Sequence, residues 1–295
     1  MTSSASAPAR HVLEQACSTI GLDSDGAEPL RLAENQIWRL PHQRVIVRIA
    51  QEGQSDAAAR EVRVARWLAQ ENIPAVRLVD VEQPVDADGR PVTFWVELPP
   101  QKHGSVEEVA QLLLQLHSLP TPAIELGSLD PFVRVDERLR AATTIRDDDK
   151  EWLHALHRDL AAAWGDRPAG LPDRAVHGDA WPGNIVRTAD GVLMMDLERF
   201  SVGPPEWDLV STAVRAKTTG AVSSREYDEF CAVYGRDVTA WEGYPILART
   251  RELRMVTYAV QHASSNSEWR SQAQYRIDCL RGRSGPRPWS WKGIH

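Results

Sequence analysis

The stretch VHGDAWPGNIV at residues 176–186, followed by GVLMMDLE at residues 191–198, determines how the rest of the chain can be interpreted. The first segment contains two glycines and a proline, which are residue types of tight turns, so we predict a loop. The second segment is an apolar run and predicts a strand that ends at Asp196.

Three oxygen-bearing side chains lie in or directly after these segments: Asp179, Asn184 and Asp196. Because the loop is tight, Asp179 and Asn184 can converge on one point. Two carboxylates and an amide carbonyl suit a hard cation such as Mg²⁺ that keeps waters and substrate phosphates, and phosphoryl transfer uses such a set. Zinc bound through His177 is the alternative, but oxygen ligands predominate and no second histidine or cysteine lies close in the sequence.

The composition narrows the class of protein. The chain has 295 residues, 42% of them hydrophobic, with a net charge of -7 and a mean hydropathy of -0.39. These values predict a soluble globular protein with two domains or one bilobal fold. The acidic charge disfavours nucleic acid as a partner, and no apolar run approaches a membrane span. We expect residues 1–10 to be a frayed tail rather than a secretory signal.

Three cysteines, far apart and odd in number, predict neither a disulfide framework nor a zinc knuckle. A reducing cytoplasm fits this pattern best. The sequence gives no indication of an oligomeric state.

The first hundred residues alternate helix and strand signals. Residues 36–40 and 43–49 predict a β-hairpin in which Val45, Val47 and Ile49 share one face. Further elements are predicted as helices over 9–20 and 56–70 and strands over 76–81 and 92–98.

From Pro99 onward the signals are helical. The Pro99-Pro100 pair is stiff and lacks two backbone donors, so we predict a domain boundary there, giving domains of residues 1–98 and 99–295. Ser105 and Glu108 form a capping-box pattern that opens a helix through Leu116. Another helix is predicted over 149–164, and after an irregular middle three more helices are predicted over 224–234, 245–263 and 267–280.

The pattern His-Gly-Asp-x-x-x-x-Asn followed by Asp-x-Glu resembles the aminoglycoside phosphotransferase family, small-molecule relatives of the protein kinases. The resemblance covers nearly the whole chain, from the hairpin beginning at Glu34-Asn35 to GPPEWDL at residues 203–209. It implies an α+β, bilobal protein-kinase-like fold with a small β-rich N-terminal lobe and a larger, mainly helical C-terminal lobe. ATP would lie in the cleft between the lobes.

The resemblance also implies roles for single residues of the loop region. Asp179 would accept or orient the proton of the attacking hydroxyl, and Asn184 and Asp196 would hold Mg²⁺ on the nucleotide phosphates. The supporting positions are predicted as follows: His177 orders the loop, Glu198 assists the metal or the strand end, and Asp208 is a buried brace of the loop.

In the small lobe, Arg48 stands where such kinases usually carry a phosphate-binding lysine, and Glu61 would be its partner. An arginine keeps the charge but changes reach and geometry. A surface ion pair is the alternative for these two residues. Residues 33–36 stand where a glycine-rich loop is usual, and Glu97 and Leu98 would belong to the hinge that pairs with adenine. ATP is the expected nucleotide, with GTP left open.

The acceptor is predicted only as a class. Trp181, Trp289 and Trp291 are candidates for an acceptor platform, because tryptophan offers a large rigid face. The basic segment 281–295 does not suit an aminoglycoside, which needs carboxylates, and residues 147–149 are predicted as a helix cap or, alternatively, part of a polycation site.

The first functional hypothesis is phosphorylation of an aminoglycoside-like or other hydroxylated antibiotic, which implies a role in resistance. The alternatives are a kinase of a metabolite (an amino sugar, a choline-like alcohol or homoserine) and a non-catalytic nucleotide-binding protein with this fold.

Overall fold

An antiparallel sheet organises the first of two compact units, in a computed structural model that describes residues 6–32 and 35–293. The sheet order is β1-β2-β3-β5-β4. Its strands are β1 (Glu28–Leu32), β2 (Gln36–Leu40), β3 (Val45–Ile49), β4 (Val85–Ala87) and β5 (Arg90–Val96).

The hairpin of β2 and β3 matches the prediction. Leu40 pairs with Val45 and Trp38 with Val47, and the buried face of β3 carries the three apolar residues predicted for it. This face forms a core with helix α1 (Ser6–Thr19), through side chains that include Leu13. The prediction that residues 1–10 form a frayed tail is therefore wrong from Ser6 onward, and residues 1–5 lie outside the described residues. Ala33 and Glu34, named for the missing glycine loop and the start of the hairpin, also lie outside them.

The predicted strand over 76–81 is wrong. The segment touches β5 only through an isolated bridge at Leu78 and scattered backbone bonds. The side-chain amide of Gln83 explains the interruption, because it accepts from the Phe94 N–H at 2.7 Å and donates to the Val79 carbonyl at 2.8 Å. These contacts occupy backbone groups that a continuous ladder would use.

Two further elements of the first unit position the residues of interest. Helix α2 (Ser55–Gln70) packs on β5, and its buried residues include Glu61. A three-stranded sheet has the order β6-β8-β9, with β6 (Lys102–His103), β8 (Ile185–Thr188) and β9 (Gly191–Met194). A 3₁₀ turn over Leu197–Arg199 follows β9 and contacts α2.

The first unit contains the described residues through Glu108, together with Pro122–Gly127 and Pro182–Phe200, and the second contains the rest. The units are therefore not contiguous in sequence, and the division at residues 98 and 99 stays a prediction. Helix α3 (Val106–Ser118) begins with the predicted capping box, in which Ser105 N–H donates to Glu108 Oε2 at 2.7 Å and Glu108 N–H to Ser105 Oγ at 3.3 Å.

The second unit is mainly helical, which together with the sheet of the first confirms the predicted α+β class. Its main core is formed by residues of four helices, and a second cluster joins two. The elements are α4 (Val135–Ala141), α5 (Asp147–Gly165), β7 (Arg174–Val176), β10 (Ser201–Gly203), α6 (Glu206–Lys217), α7 (Ser224–Tyr234), α8 (Tyr244–Ser265) and α9 (Glu268–Leu280).

Helix α6 lies in the region predicted as irregular, and α4 lies before the predicted helix over 149–164, where no element was predicted. Residues 147–149 form the first turn of α5, as predicted for a helix N-terminus, but the cap residue is Arg146, which makes no side-chain cap, so the capping part of the prediction is wrong. Of the three aspartates, Asp149 is fully buried and bound by arginines. Within the described ranges, no helix combines the length and apolar character needed to cross a bilayer.

Candidate active site

The β8–β9 hairpin brings two oxygen donors to the same end of the first unit. Asn184 directly precedes β8 and Asp196 follows β9 by two residues; Ile185 pairs with Met194, so the two ends lie side by side. The Met195 N–H donates to the Asn184 carbonyl at 2.8 Å and extends this pairing to the residue before Asp196. Asp196 has a φ of 55°, a left-handed conformation that aspartate tolerates better than most residues.

The donor chemistry of this hairpin end fits a divalent cation of the Mg²⁺ type. Both donors are hard oxygens, one amide and one carboxylate. Over the described part of the chain, no group of three His, Cys, Asp or Glu side chains is arranged to hold a metal on its own. A site that depends on a substrate's phosphates for further ligands is consistent with that finding, because Mg²⁺ is commonly held by one or two carboxylates plus phosphates.

Arg48 on β3 joins two carboxylates of the first unit. Its Nη1 lies 2.8 Å from both carboxylate oxygens of Glu61 on α2, and its Nη2 lies 2.9 Å from Glu198 Oε2 on the 3₁₀ turn. The Glu198 carbonyl accepts a further bond from Arg60 at 3.1 Å. The predicted Arg48–Glu61 pair is therefore present. Glu198, which also binds Arg48, connects α2 and β3 to the segment that follows Asp196.

Three carboxylates lie around Arg48, those of Glu61, Asp196 and Glu198. Burial raises the pKa of Glu61 to about 7, opposed by Arg48 and reinforced by the charges of Asp196 and Glu198. Burial acts to lower the pKa of Arg48, but Glu61 and Glu198 outweigh it and the pKa is raised. Arg199 Nε also lies 3.4 Å from Glu198 Oε1, and the charge of Arg60 opposes the raised pKa of Glu61, so three arginines offset the three carboxylates of this cluster.

In the second unit, Asp208 on α6 holds the backbone of the loop. Its two carboxylate oxygens accept the N–H of His177 at 2.7 Å and of Gly178 at 2.8 Å. The Nε2 of His117 lies 3.2 Å from the same carboxylate. Burial acts to raise the pKa of Asp208, but the contacts with His117 outweigh it and the pKa is lowered. The predicted brace is therefore an ionised, fully bonded carboxylate.

Asp179 lies beside Arg251 on α8. The Arg251 Nη1 is 3.3 Å from Asp179 Oδ1, and its Nη2 donates to the carbonyls of Gly178 at 3.1 Å and Trp207 at 3.0 Å. Neither His117 nor Arg251 was predicted. A single histidine or arginine in an apolar helix carries no pattern, so nothing in the sequence marks these two partners of the loop.

The predicted hinge residues directly follow β5. Glu97 N–H donates to the Arg44 carbonyl at 2.9 Å, and Glu97 Oε1 lies 2.7 Å from Arg39 Nε. The side chain of Glu97 is thus held by an ion pair within the sheet, and Leu98 is half-buried. Contact of either residue with a nucleotide stays a prediction.

The three tryptophans separate into two groups. Trp289 and Trp291 are buried in the helical core, with their ring centroids 5.4 Å apart, so the structure argues against their role as an acceptor platform. Trp181 is half-buried in the loop beside Asp179, and the Arg215 guanidinium lies 5.0 Å from its ring centroid.

A family model described as "APH: Phosphotransferase enzyme family" matches residues 27–247. The chain belongs to this phosphotransferase family. The matched range contains every predicted site residue except Trp289 and Trp291. The matched range ends before Arg251, so the family match does not include this residue or its contacts with the loop. A comparison with curated proteins gave no match.

Solved phosphotransferases share the fold. The aminoglycoside phosphotransferase APH(3'')-Id from Streptomyces rimosus is 20% identical, with 82% of this chain and 96% of that chain covered and a TM-score of 0.62. Choline kinase LicA from Streptococcus pneumoniae is 16% identical, covering 92% and 100%, with a TM-score of 0.62. Amicoumacin kinase hAmiN, solved with AMP-PNP, Ca²⁺ and Ami, is 12% identical, covering 90% and 92%, with a TM-score of 0.66. These likenesses confirm the protein-kinase-like fold.

Proposed function

We propose that this phosphotransferase uses Mg²⁺ and ATP to phosphorylate a hydroxyl group of a small molecule. The observation that carries the proposal is the hydrogen bond between Met195 N–H and the Asn184 carbonyl, which holds an amide and a carboxylate donor at one end of a hairpin. The amicoumacin kinase complex, with its nucleotide analogue and divalent cation, supports nucleotide and metal binding here.

Asn184 and Asp196 would hold the metal through their side-chain oxygens. The bound cation supplies charge neutralisation on the phosphates and at the leaving oxygen. We assign Glu198 to a supporting role, because its carboxylate is bound to Arg48.

Asp179 would orient the acceptor hydroxyl and take its proton. The hydroxyl oxygen attacks the γ-phosphorus, the bond from that phosphorus to the β–γ bridging oxygen breaks, and ADP leaves with the electron pair. Positioning contributes more than base strength when the transition state is loose. The bonds of Asp208 to the loop backbone and of Arg251 to Asp179 supply that positioning.

Arg48 would contact the nucleotide phosphates while Glu61 and Glu198 fix its guanidinium. Glu97 and Leu98 would form the adenine side of the site, with GTP left open as an alternative to ATP. The acceptor hypotheses remain a hydroxylated antibiotic, aminoglycoside-like in the first instance, or a hydroxylated metabolite. A role in resistance and a cytoplasmic location stay predictions.

Thermal unfolding tests the metal and nucleotide assignment. Mg²⁺ with ATP should raise the Tm of the wild-type protein, because a ligand that binds only the folded state stabilises it. Asp196→Ala should lose the Mg²⁺-dependent part of this shift. Asp190→Ala, at the exposed opposite end of the same hairpin, should keep it. A Tm shift that is equal with and without Mg²⁺, or equal in both variants, would favour the non-catalytic alternative.

A further inference from the structure

Two arginines of the second unit lie close to Asp179, the residue to which the proposed function assigns the acceptor hydroxyl. Arg251 contacts its carboxylate directly. Arg215, on α6, lies over the ring of Trp181, two residues after Asp179, with its guanidinium carbon 5.0 Å from the ring centroid. Burial lowers the pKa of Arg215, and the carboxylate of Asp179 opposes that shift. The surroundings of the predicted reacting hydroxyl are therefore basic on this side.

The contacts of Arg251 with the loop explain why this arginine is buried. It is buried, donates to two backbone carbonyls and stacks on Trp207, with the guanidinium carbon 4.3 Å from the ring centroid. These contacts make Arg251 a positioning residue for Asp179 and the loop backbone.

Arg215 has no comparable structural explanation. Its Nε is buried without a hydrogen-bond partner, and across the described ranges its guanidinium forms no ion pair within 4.0 Å. Arg215 as a whole is half-buried, but shielding its Nε from water without a hydrogen-bond acceptor costs stability. An anionic ligand beside the loop would supply the partner that this guanidinium lacks.

We propose that Arg215 binds an anionic group, a carboxylate or a phosphate, on the acceptor whose hydroxyl Asp179 orients. This inference rests on the proposed function and narrows its substrate class. A guanidinium presents a planar fork of donors that matches carboxylate and phosphate oxygens. Stacking on the Trp181 ring holds the fork in a fixed orientation and reduces the entropy lost on binding.

A polycationic acceptor fits this environment less well. Its ammonium groups would approach two guanidinium groups close to the hydroxyl that reacts, and like charges in a desolvated site repel. Arg281 and Arg283 of the basic C-terminal segment pair with Asp149, so that acid is not available to a polycation. The anionic class includes hydroxy amino acids such as homoserine, hydroxy acids and phosphorylated alcohols.

Matched acceptor pairs test the charge requirement. The release of ADP from Mg²⁺-ATP is measured with homoserine and its amide, glycerate and glyceramide, and glycerol phosphate and glycerol, with kanamycin and choline as cationic members. Binding of each compound is measured by calorimetry on the same protein. We expect binding and turnover of the members that carry a carboxylate or phosphate, and a kcat/KM at least about tenfold lower for the counterparts that lack this anionic group. The carboxylate and phosphate pairs distinguish the two possible anions.

Variants of Arg215 separate recognition from folding. Arg215→Gln should raise the acceptor KM by about 10- to 100-fold, the worth of hydrogen bonds to a charged group, and leave the KM for ATP unchanged. Arg215→Lys should restore part of the affinity. Arg225→Gln, which removes an exposed arginine of α7, should behave as wild type.

Three results would overturn the anionic assignment. They are preferred turnover of an acceptor that lacks a carboxylate or phosphate, an acceptor KM unaffected by Arg215→Gln, and no binding of any compound with such a group while Mg²⁺-ATP still binds. In each case the kinase assignment stands. Loss of both Mg²⁺-dependent ATP binding and ADP release would instead contradict the proposed function itself.

Discussion

Arg48 forms ion pairs with two acidic residues of the first unit, and one of them, Glu61, is buried. Its guanidinium contacts Glu61 and Glu198, while Asp196 adds a third negative charge nearby. A lysine at this position would present one nitrogen instead of two donor edges, so it could not hold both carboxylates in the same geometry. The arginine therefore suits this chain, although kinases of this type usually carry lysine there.

The raised pKa of Glu61 predicts a pH dependence of stability in the absence of divalent metal. The folded state binds a proton at Glu61 up to about pH 7, whereas an ordinary glutamate has a value of 4.5. The raised pKa of Glu61 therefore stabilises the folded state fully below pH 4.5, and this stabilisation is lost as the pH rises to about 7. Relative to Glu61→Gln, the wild-type free energy of unfolding should fall by about 3 kcal/mol across this window.

Urea unfolding of both proteins at several pH values measures this difference. Because Glu61→Gln keeps the side-chain size, the comparison isolates the charge. A constant difference between wild type and variant from pH 4.5 to 7 would show that Glu61 titrates normally.

At the scale of elements, the first turn of α5 is attached to the end of α9 by one buried carboxylate. Asp149 Oδ1 lies 2.5 Å from Arg281 Nη1 and 3.2 Å from Arg283 Nη1, and its other oxygen accepts from Gln274 at 2.9 Å. Water can solvate exposed charges, whereas the buried carboxylate of Asp149 depends on hydrogen bonds from its protein partners.

Asp149→Asn should therefore lower the free energy of unfolding by about 2 kcal/mol, because the hydrogen bonds of this buried position to Arg281 and Arg283 lose their charge, while the partly exposed guanidinium groups stay in contact with water. Asp147→Asn, in the same helical turn but exposed, should change it by no more than about 0.5 kcal/mol. Thermal or urea unfolding measures both. Equal effects of the two substitutions would show that the helix dipole, rather than the buried network, is the source of stability.

The elements differ in how well the sequence predicts them. The hairpin of β2 and β3 and the strand ending near Asp196 follow from alternation and turn residues, because one face or one end of each is specified locally. Helix α6 was missed although Trp207, Val210 and Val214 recur at helical spacing, because polar residues such as Asp208 and Thr212 are buried as well and no exposed polar face contrasts with the apolar one. The segment 76–81 was mistaken for a strand because a neighbouring side chain, that of Gln83, interrupts the ladder by bonding the Val79 carbonyl and the Phe94 N–H, and the alternation of residue types gives no sign of such a contact.

In the candidate site too, features specified by a local stretch of sequence could be predicted and features that depend on tertiary contacts could not. The oxygen donors lie in one short stretch and could be predicted from residue types and spacing. Their partners could not: His117, Arg215 and Arg251 come from three different helices, and only the tertiary structure brings them to the loop.

At the scale of the whole molecule, the proposed catalytic residues are divided between the two compact units. Asp179 belongs to the second unit, and Asn184 and Asp196 belong to the first, with the division between Trp181 and Pro182 inside the loop. Metal and nucleotide binding are thus assigned to residues of one unit and hydroxyl activation to a residue of the other. Substitutions in the two units should therefore affect different steps.

The most direct test of phosphotransfer is the movement of labelled γ-phosphate from Mg²⁺-ATP to a hydroxylated acceptor, in wild type and in Asp179→Ala. We predict that the wild type forms a phosphorylated acceptor and that the variant does so about 10²- to 10⁴-fold more slowly, the usual contribution of a positioned proton acceptor. Binding of Mg²⁺-ATP should be unchanged, because Asp179 is not assigned to the nucleotide. Equal transfer by the two proteins, or transfer by neither with nucleotide bound normally across acceptors of every charge class, would contradict the account.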